Sequence, residues 1–448
     1  MSVGNHLELV AILYIIFAAL VVITIVVKIA RNRRISIMNM CSAMYAILLC
    51  IVPALILLGY ANGLRVASGI LFEERTIWTF YLQFAFTAMG YFFLHVGYMV
   101  KQKKCKPYNF FTNSNGLLIS MIFSAISMIS LNLWASGYGG IDSLILNANQ
   151  IRAGWVTSTN SFAFFKHFVP LSLLTSWMLF NMLIRKEVKG FFGKFGVMIL
   201  LLCNVALSNI YIQANDGRML LAVYVFLYFV LYLKYKFETK QANIAPMLLK
   251  FGIVFIVVIS ILFNADAILG EMRNGTYESG NDSDIITTVS REFSFILSGT
   301  QNALIKDLSD EGKLMIMNDV VNGVFAWLPT TLKPIMMEDV WDYNTRSINT
   351  GEYGQLPTSI IGQSIYDLGL LGIILLPFIY GVIIKKVEMV LEGRKENIFY
   401  NTVYIVLGYY LCKGIPYFSF YNIMINTFFI FIAILIYNTV HKKNTVRL

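Results

Sequence analysis

Three arginines of this chain have the charge, and the position in or beside polar loops, that binding of phosphate requires. Arg152, Arg218 and Arg291 each lie in or beside a polar loop between apolar segments. A guanidinium is a planar, permanently charged fork that fits phosphate oxygens in pairs. For any one of them, an arginine that only extends to the lipid headgroups is the simpler interpretation. The three together favour a pyrophosphate site, with Arg273 and Arg346 as weaker candidates.

The spacing of cysteine and histidine does not favour a metal site. No Cys-x-x-Cys or His-x-x-x-His pair occurs in the sequence, and such pairs are typical of transition-metal ligands. All five cysteines lie outside residues 266–357, the longest polar stretch, so no disulfide framework is expected there. The sequence therefore predicts a site with neither a metal nor another cofactor.

The elements that position these arginines are predicted to be membrane-spanning helices. Hydrophobic residues make up 57% of the 448 residues and charged residues 13%, and the mean hydropathy is +0.67. Such a chain has too little polar surface for a water-soluble globule of this size. Apolar runs near the ~20 residues that cross a bilayer predict eleven spans, at about 9–27, 41–58, 78–100, 117–134, 163–184, 195–213, 219–233, 247–265, 359–384, 398–412 and 422–438.

The lysines and arginines of alternate loops predict the orientation. Most of the 35 basic residues fall in the connections around residues 28–34, 101–106, 185–194, 234–240, 385–395 and 442–447. Cytoplasmic loops hold the positive charge, so the N-terminus is predicted outside and the C-terminus inside. The net charge of +10 then reflects insertion and contact with anionic membrane lipid, and nucleic acid is excluded as a partner.

The long polar segment 266–357 divides the chain into three parts. Residues 1–265 hold predicted spans one to eight, residues 266–357 form an extracytoplasmic loop, and residues 358–448 hold spans nine to eleven. In the loop, acidic residues outnumber basic ones by fourteen to six, which disfavours a polyanionic ligand. Apolar periodicity over 293–308 and 314–328 predicts two amphipathic helices on the outer membrane surface or over the bundle. Such a segment is suited to act as a lid.

Asp367 is a charged residue within a predicted span and needs a partner or a wet cavity. Pairing with an outer arginine is the first interpretation, and direct catalysis is the second. Gly369 and Gly372 have the small-residue spacing that allows close helix contact. His95, in the third predicted span, is interpreted as a hydrogen-bonded packing residue.

Three short stretches carry a resemblance to a known family. Thr358-Ser-Ile-Ile-Gly-Gln-Ser-Ile-Tyr-Asp-Leu-Gly-Leu-Leu-Gly372 resembles the re-entry span of Wzy-type O-antigen and capsular polysaccharide repeat-unit polymerases. Asn215-Asp-Gly-Arg-Met-Leu-Leu221 is similar to their Gly-Ser-Arg-Gly-type motif at the mouth of a span. Ile151-Arg-Ala-Gly154, in a short outer loop before an apolar span, is a third similarity.

The resemblance implies a GT-C-like membrane glycosyltransferase in the bacterial inner membrane, with a periplasmic N-terminus and a cytoplasmic C-terminus. Its substrate would be an oligosaccharide on undecaprenyl pyrophosphate, and a chain-length regulator protein is a further partner that the resemblance allows. A hydroxyl of the incoming unit would attack the anomeric carbon of the growing chain. The three arginines would bind the pyrophosphate, and Asp216, Glu292 or His167 would orient or deprotonate the hydroxyl.

Two other functions remain open at this point. An O-antigen ligase would use the same lipid donor, but members of that family rely on a histidine in the large outer loop, and residues 266–357 contain none. A flippase or another transporter of lipid-linked oligosaccharide is the non-enzymatic alternative. Transporters commonly show internal repeats and polar sites near the bilayer midplane. No repeat is evident in this sequence.

Overall fold

The computed structural model describes residues 3–61, 77–102, 116–152, 155–215, 218–239, 285–308, 314–315, 318–328, 332–333, 337–348, 356–394 and 396–445. Within these ranges all regular structure is helical, and no strand occurs. The protein is therefore an all-α polytopic membrane protein, as its sequence predicts. The likeness to GT-C enzymes and the orientation of the termini remain predictions.

The helices follow one another along the chain with mostly short connections. In chain order they are α1 (Val3–Asn32), α2 (Ile37–Ala61), α3 (Ile77–Met99), α4 (Gly116–Ser136), α5 (Ile141–Leu146), α6 (Ala148–Arg152), α7 (Ser161–Ile184), α8 (Phe191–Ala214) and α9 (Arg218–Glu238). They continue with α10 (Ile285–Leu308), α11 (Asn318–Val324), α12 (Val340–Ile348), α13 (Ile360–Leu368), α14 (Gly372–Glu392), α15 (Ile398–Lys413) and α16 (Phe420–Thr445).

Among the described residues, nine helical stretches are long and apolar enough to cross a membrane. They match nine of the eleven predicted spans. The predicted span at 247–265 lies outside the described residues. The one at 398–412 corresponds to α15, which has 16 residues. At 1.5 Å per residue, a helix of this length falls short of a hydrocarbon core of about 30 Å.

The chain forms two compact units. Unit 1 comprises Met1–Cys105, Asp282–Val390 and Gly408–Ile425. Unit 2 comprises Lys106–Asn281, Leu391–Leu407 and Asn426–Leu448. The predicted parts 1–265, 266–357 and 358–448 concern membrane topology and stay a prediction.

Helix α10 lies in the core of unit 1, although the sequence placed its residues on the membrane surface or over the bundle. Ile296, Leu297 and Leu304 are buried, and α10 packs on α2, α3 and α13. Its polar side chains pair with those of α3: Thr79 Oγ1 donates to Gln301 Oε1 at 2.5 Å, and Gln301 Nε2 donates to Gln83 Oε1 at 2.6 Å. Such paired polar groups allow burial of a helix that is only partly apolar.

Helix α10 runs antiparallel to α3. Gln301 contacts Thr79 near the start of α3, whereas Leu297, one turn earlier in α10, accepts a hydrogen bond from Gln83, one turn later in α3. Residues before Leu297 therefore extend toward the middle of α3.

The predicted ninth span, 359–384, is broken into two helices in the structure. Gly369 has φ 59° and ends α13, and three residues later α14 begins. A Cβ atom on Gly372 would lie 1.9 Å from the carbonyl oxygen of Ser364, so the chain bends sharply between α13 and α14. The stretch Ile360–Glu392 counts as one of the nine apolar helices by length and hydropathy, but its backbone turns at Gly369.

The N-terminal turn of α13 lies beside the middle of α3. The Cδ1 atom of Ile361 occupies the space in front of Gly90, 2.2 Å from where a Cβ atom would be. Helix α13 is thus a half-helix that begins inside unit 1, with Ser359 as its N-cap.

Unit 2 is built on α4, α7, α8 and α9. Helix α7 packs against the other three, and hydroxyl and amide pairs join them. Ser208 Oγ donates to Ser172 Oγ at 3.2 Å, and Trp177 Nε1 donates to the carbonyl oxygen of Tyr224 at 3.1 Å. These buried pairs join α7 to α8 and to α9.

Candidate functional site

One hydrophobic cluster at an end of unit 2 positions two of the three predicted arginines. We call it the end cluster; its buried members are Leu131, Trp134, Ala135, Leu144, Val169 and Ala214. Ile151 packs against it and directly precedes Arg152, the last residue of α6. Ala214 ends α8, and Arg218 begins α9 four residues later. The backbones of Arg152 and Arg218 are therefore held at the same end of unit 2.

Of the other predicted site residues, His167 belongs to this end of unit 2. Asp216 lies between α8 and α9, outside the described residues. His167 ends the first, 3-10 part of α7, two residues before Val169 of the end cluster. Its ring makes edge contacts with Phe164, at 5.7 Å between centroids, and with Phe428, at 6.2 Å. An aromatic setting of this kind suits a packing residue, and the catalytic role of His167 stays a prediction.

Arg291 and Glu292 belong to unit 1. The sequence placed Arg291 at the start of a helix, but α10 begins at Ile285, so both residues lie inside the helix, more than one turn before Leu297. Their side chains, like those of Arg152 and Arg218, are outside the described part of the structure. A single phosphate site shared by all three arginines therefore remains a prediction.

A cluster of neutral polar side chains that sequence reasoning missed lies in unit 1, where α10, α12 and α13 meet. Asn302 Nδ2 donates to Asn344 Oδ1 at 3.0 Å and to the Tyr366 hydroxyl at 2.8 Å. The Tyr366 hydroxyl donates in turn to Asn344 Oδ1 at 2.5 Å. At the base of the cluster, the hydroxyls of Thr300 and Ser359 are 3.0 Å apart. We call this group, with Thr358, Gln363 and Asp367, the amide cluster.

Asp367 belongs to the amide cluster and is buried, with 4% of its surface exposed. Both of its carboxylate oxygens accept from Gln363 Nε2, at 3.1 and 3.2 Å. Gln363 lies one turn before Asp367 on α13, and side chains with this i, i+4 spacing are neighbours on one face of a helix. The predicted partner of Asp367, an outer arginine, stays a prediction because the side chains of those arginines lie outside the described residues.

Two carboxylates of the long loop cap neighbouring helices in unit 1. Asp319 accepts from Ser419 Oγ at 2.8 Å, from Tyr421 N at 3.2 Å and from Phe420 N, which caps the start of α16. Burial raises the pKa of Asp319, and these hydrogen bonds oppose the rise. Asp339 Oδ1 accepts from the backbone nitrogen of Trp341, at the start of α12, at 3.3 Å.

The charges around Asp319 and Asp339 disfavour the binding of an anion in this part of unit 1. Burial, and then the charge of Asp319, raise the pKa of Asp339 to about 7. Arg346, one of the weaker phosphate candidates, forms an ion pair with Glu338. Within the described ranges, no group of three or more His, Cys, Asp or Glu side chains could hold a metal ion. A neutral ligand fits this part of unit 1 better than a phosphate.

Comparisons with protein-family models, with curated proteins and with solved structures find no match for this chain.

Proposed function

We propose that the protein polymerises oligosaccharide repeat units carried on undecaprenyl pyrophosphate into O-antigen or capsular polysaccharide, at the outer leaflet of the bacterial inner membrane. The observation that carries this proposal is the end cluster. It brings the backbones of Arg152 and Arg218 to one end of unit 2. Two guanidiniums at neighbouring helix ends suit a diphosphate, because each can take one phosphate group.

The reaction needs a positive site for the leaving group and an acceptor for one proton. A hydroxyl oxygen of the incoming unit forms a bond with the anomeric carbon of the growing chain, while the bond from that carbon to the pyrophosphate oxygen breaks. The leaving undecaprenyl pyrophosphate gains negative charge, which Arg152 and Arg218 stabilise. The hydroxyl proton passes to a base. Asp216, two residues before Arg218, is the first candidate for this base, and Glu292 and His167 are the others.

The break between α13 and α14 favours a second candidate function, transport of a lipid-linked oligosaccharide. Transporters commonly place their substrate at discontinuous helices near the bilayer midplane, and α13 is a half-helix that begins beside the middle of α3. An O-antigen ligase is a third candidate, which the missing histidine in residues 266–357 disfavours.

A deletion strain separates these functions. Loss of a polymerase leaves single repeat units at the cell surface, loss of a flippase leaves none there, and loss of a ligase leaves polymer that is not joined to its lipid acceptor. We expect single repeat units. Long-chain polymer in the deletion strain would overturn the proposal.

Variants of Arg152 and Arg218 test whether these two residues bind the pyrophosphate. We expect Arg152→Ala and Arg218→Ala to lose long-chain polymer in complemented cells, resolved on a gel, and the lysine variants to recover part of it because lysine lacks the paired donors. Arg31→Ala, an exposed arginine at the end of α1, is the matched control and should complement fully. Undiminished polymer from both alanine variants would exclude the proposed pyrophosphate site.

A further inference from the structure

Three buried polar atoms of the amide cluster lack a hydrogen-bond partner among the described residues. They are Asn344 Nδ2, Thr358 Oγ1 and Gln363 Oε1. Each of the three side chains is 0% exposed. A buried polar group left unpaired costs about 1–3 kcal/mol, and native proteins retain few of them without a functional reason.

Two of these atoms lie around one point of the contact between α10 and α13. Asn344 Nδ2 and Thr358 Oγ1 are each 3.3 Å from the position that a Cβ atom on Gly299 would occupy. Thr358 Oγ1 also fills the space in front of Gly362, 2.0 Å from its Cβ position. Gln363 follows Gly362 on the same turn of α13. The three residues thus come from α12, the residue before the N-cap of α13, and α13 itself.

The amide cluster reaches the surface of unit 1 on the side of Tyr343. Asn302 and Tyr343 are partly exposed, and Asn302 donates to Asn344. The rings of Tyr343 and Tyr366 pack edge to face, 5.7 Å apart. Polar groups therefore form a continuous series from the partly exposed Asn302 to the buried Asn344.

The chemistry of the three atoms defines the class of ligand. An amide nitrogen donates, an amide oxygen accepts, and a hydroxyl does both. Neighbouring hydroxyls of a sugar ring offer the same mixture of donors and acceptors. The charged groups of Asp319 and Asp339 are carboxylates, so a phosphate group is disfavoured.

We propose that Asn344, Thr358 and Gln363 form a subsite for the neutral sugar of the incoming repeat unit. The proposal rests on the proposed polymerase function for the identity of the sugar chain. Asn344 Nδ2 donates a hydrogen bond to one sugar hydroxyl, and Gln363 Oε1 accepts one from a second hydroxyl. Thr358 Oγ1 forms a hydrogen bond with one of these two hydroxyls. The three atoms are closed to solvent, so the proposed binding requires the contact of Asn344 with Gly299 to open.

The variant Thr358→Val distinguishes a subsite from a packing defect. Valine has the shape of threonine without its hydroxyl, and this hydroxyl has no partner in the described structure. Its removal should leave the unfolding temperature unchanged or raise it. A subsite predicts that sugar binding nevertheless weakens. Asn344→Asp is the second variant, because it keeps Oδ1 for Asn302 and Tyr366 and replaces the Nδ2 donor with a carboxyl oxygen.

Thr345→Val is the matched control. Thr345 Oγ1 accepts from the backbone nitrogen of Leu356 at 2.7 Å and donates to the carbonyl oxygen of Trp341 at 2.9 Å. Its hydroxyl is fully used within the protein. Thr345→Val should therefore lower the unfolding temperature and leave sugar binding as in the wild type.

The experiment uses the purified full chain in nanodiscs and two probes from the deletion strain. The first is the lipid-linked repeat unit, for the KM of elongation; the second is the same oligosaccharide freed from lipid by mild acid, for equilibrium binding. We expect Thr358→Val to raise both the KM and the dissociation constant about 3- to 10-fold, the loss of one neutral hydrogen bond.

The two probes separate the subsite from the polymerase function. A wild-type protein that binds the free oligosaccharide but does not elongate the lipid-linked unit contradicts the polymerase function and leaves the subsite supported if Thr358→Val binds more weakly. A wild-type protein that elongates the unit while Thr358→Val and Asn344→Asp keep wild-type KM and affinity overturns the subsite alone. Absence of any binding of the free oligosaccharide to the wild type also overturns it.

Discussion

Gly97 and Gly381 each face the backbone of the other's helix where α3 crosses α14. A Cβ atom on Gly97 would lie 2.0 Å from the carbonyl oxygen of Phe378, and one on Gly381 would lie 2.1 Å from the carbonyl oxygen of Leu94. Because the obstacles are backbone atoms, no side-chain rotation relieves them. This crossing fixes the position of α14 against α3 in unit 1.

Alanine at either glycine should therefore destabilise the protein. We expect Gly97→Ala and Gly381→Ala each to cost at least about 1–3 kcal/mol, the usual range for overpacking, and to lower the yield of folded protein in detergent. Gly196→Ala is the matched control, because no atom lies within 4 Å of its Cβ position in α8 and alanine favours a helix. Equal unfolding temperatures for all three variants would contradict the close crossing.

The ion pair of Arg34 and Glu388 gives a second prediction. Arg34 Nη2 lies 2.9 Å from Glu388 Oε1, Tyr98 donates to Oε2 at 3.1 Å, and the glutamate side chain is 1% exposed while that of the arginine is 45% exposed. Arg34→Ala removes the positive charge beside the buried carboxylate of Glu388. Because the arginine is partly exposed, we expect the free energy of unfolding to fall by about 1–2 kcal/mol.

A charge exchange tests this pair. Arg34→Glu combined with Glu388→Arg should recover part of the stability that either single substitution loses, measured by thermal unfolding. Additive losses in the double variant would show that the two groups do not interact. Arg31→Ala, on the exposed end of α1, should change the stability by less than about 0.5 kcal/mol.

Asp339 makes the stability depend on pH. Its pKa in the folded protein is raised to about 7, first by burial and then by the charge of Asp319, whereas an unfolded aspartate titrates near about 3.9. The folded state therefore binds the proton more tightly. The stability that Asp339 contributes is fully present below about pH 4 and is lost as the pH rises to about 7.

Asp339→Asn should remove this dependence. Relative to the wild type, we expect its unfolding temperature to be higher at pH 8, by on the order of 2 °C, and similar at pH 4.5. The asparagine oxygen can still accept from Trp341 at the start of α12. Asp142→Asn, at an exposed position near the start of α5 in unit 2, is the control. A difference between wild type and Asp339→Asn that does not change with pH would contradict the raised pKa.

The cysteines offer a chemical test of the packing in unit 1. The sulfur atoms of Cys41 and Cys412 are 3.3 Å apart, and both side chains are buried. A disulfide needs about 2.05 Å, so a small shift suffices. We expect copper phenanthroline, which partitions into membranes, to take two electrons from the pair while both thiol protons are released. After cleavage of the chain between the two residues, the fragments should stay joined until a reductant is added.

Cys41→Ser should abolish this link, and Cys50→Ser, at another buried cysteine, should leave it intact. Separate fragments from the oxidised wild type, under conditions that oxidise an exposed cysteine such as Cys203, would contradict the contact of α2 with α15.

Hydropathy predicted the long helices well, since the requirement for about 20 apolar residues leaves a clear pattern in the sequence. It did not show the break between α13 and α14 inside the ninth span, because this break depends on the backbone of Gly369 and on the space that Gly372 leaves beside Ser364. Neither the backbone angle of Gly369 nor the space beside Gly372 changes the hydropathy of the segment. The position of α10 was missed for a related reason: Gln301 and Thr300 are buried by pairing, and polar residues paired inside a protein do not follow an apolar period.

The predicted pyrophosphate site stays a prediction. Arg152 and Arg218 drew attention by charge, and the end cluster places their backbones together. The amide cluster was missed because Asn302, Asn344 and Tyr366 come from three helices separated in sequence, and neutral polar residues in a polar loop carry no distinctive spacing.

The most direct test of the polymerase function is reconstitution. The purified full chain in proteoliposomes is given undecaprenyl-pyrophosphate-linked repeat units, and the products are resolved by mass spectrometry. The proposed function predicts chains of two or more repeats, with one undecaprenyl pyrophosphate released for each new glycosidic bond, and strongly reduced chain formation by Arg218→Ala. Lipid-linked units that remain single and unchanged with the folded wild-type protein would contradict it.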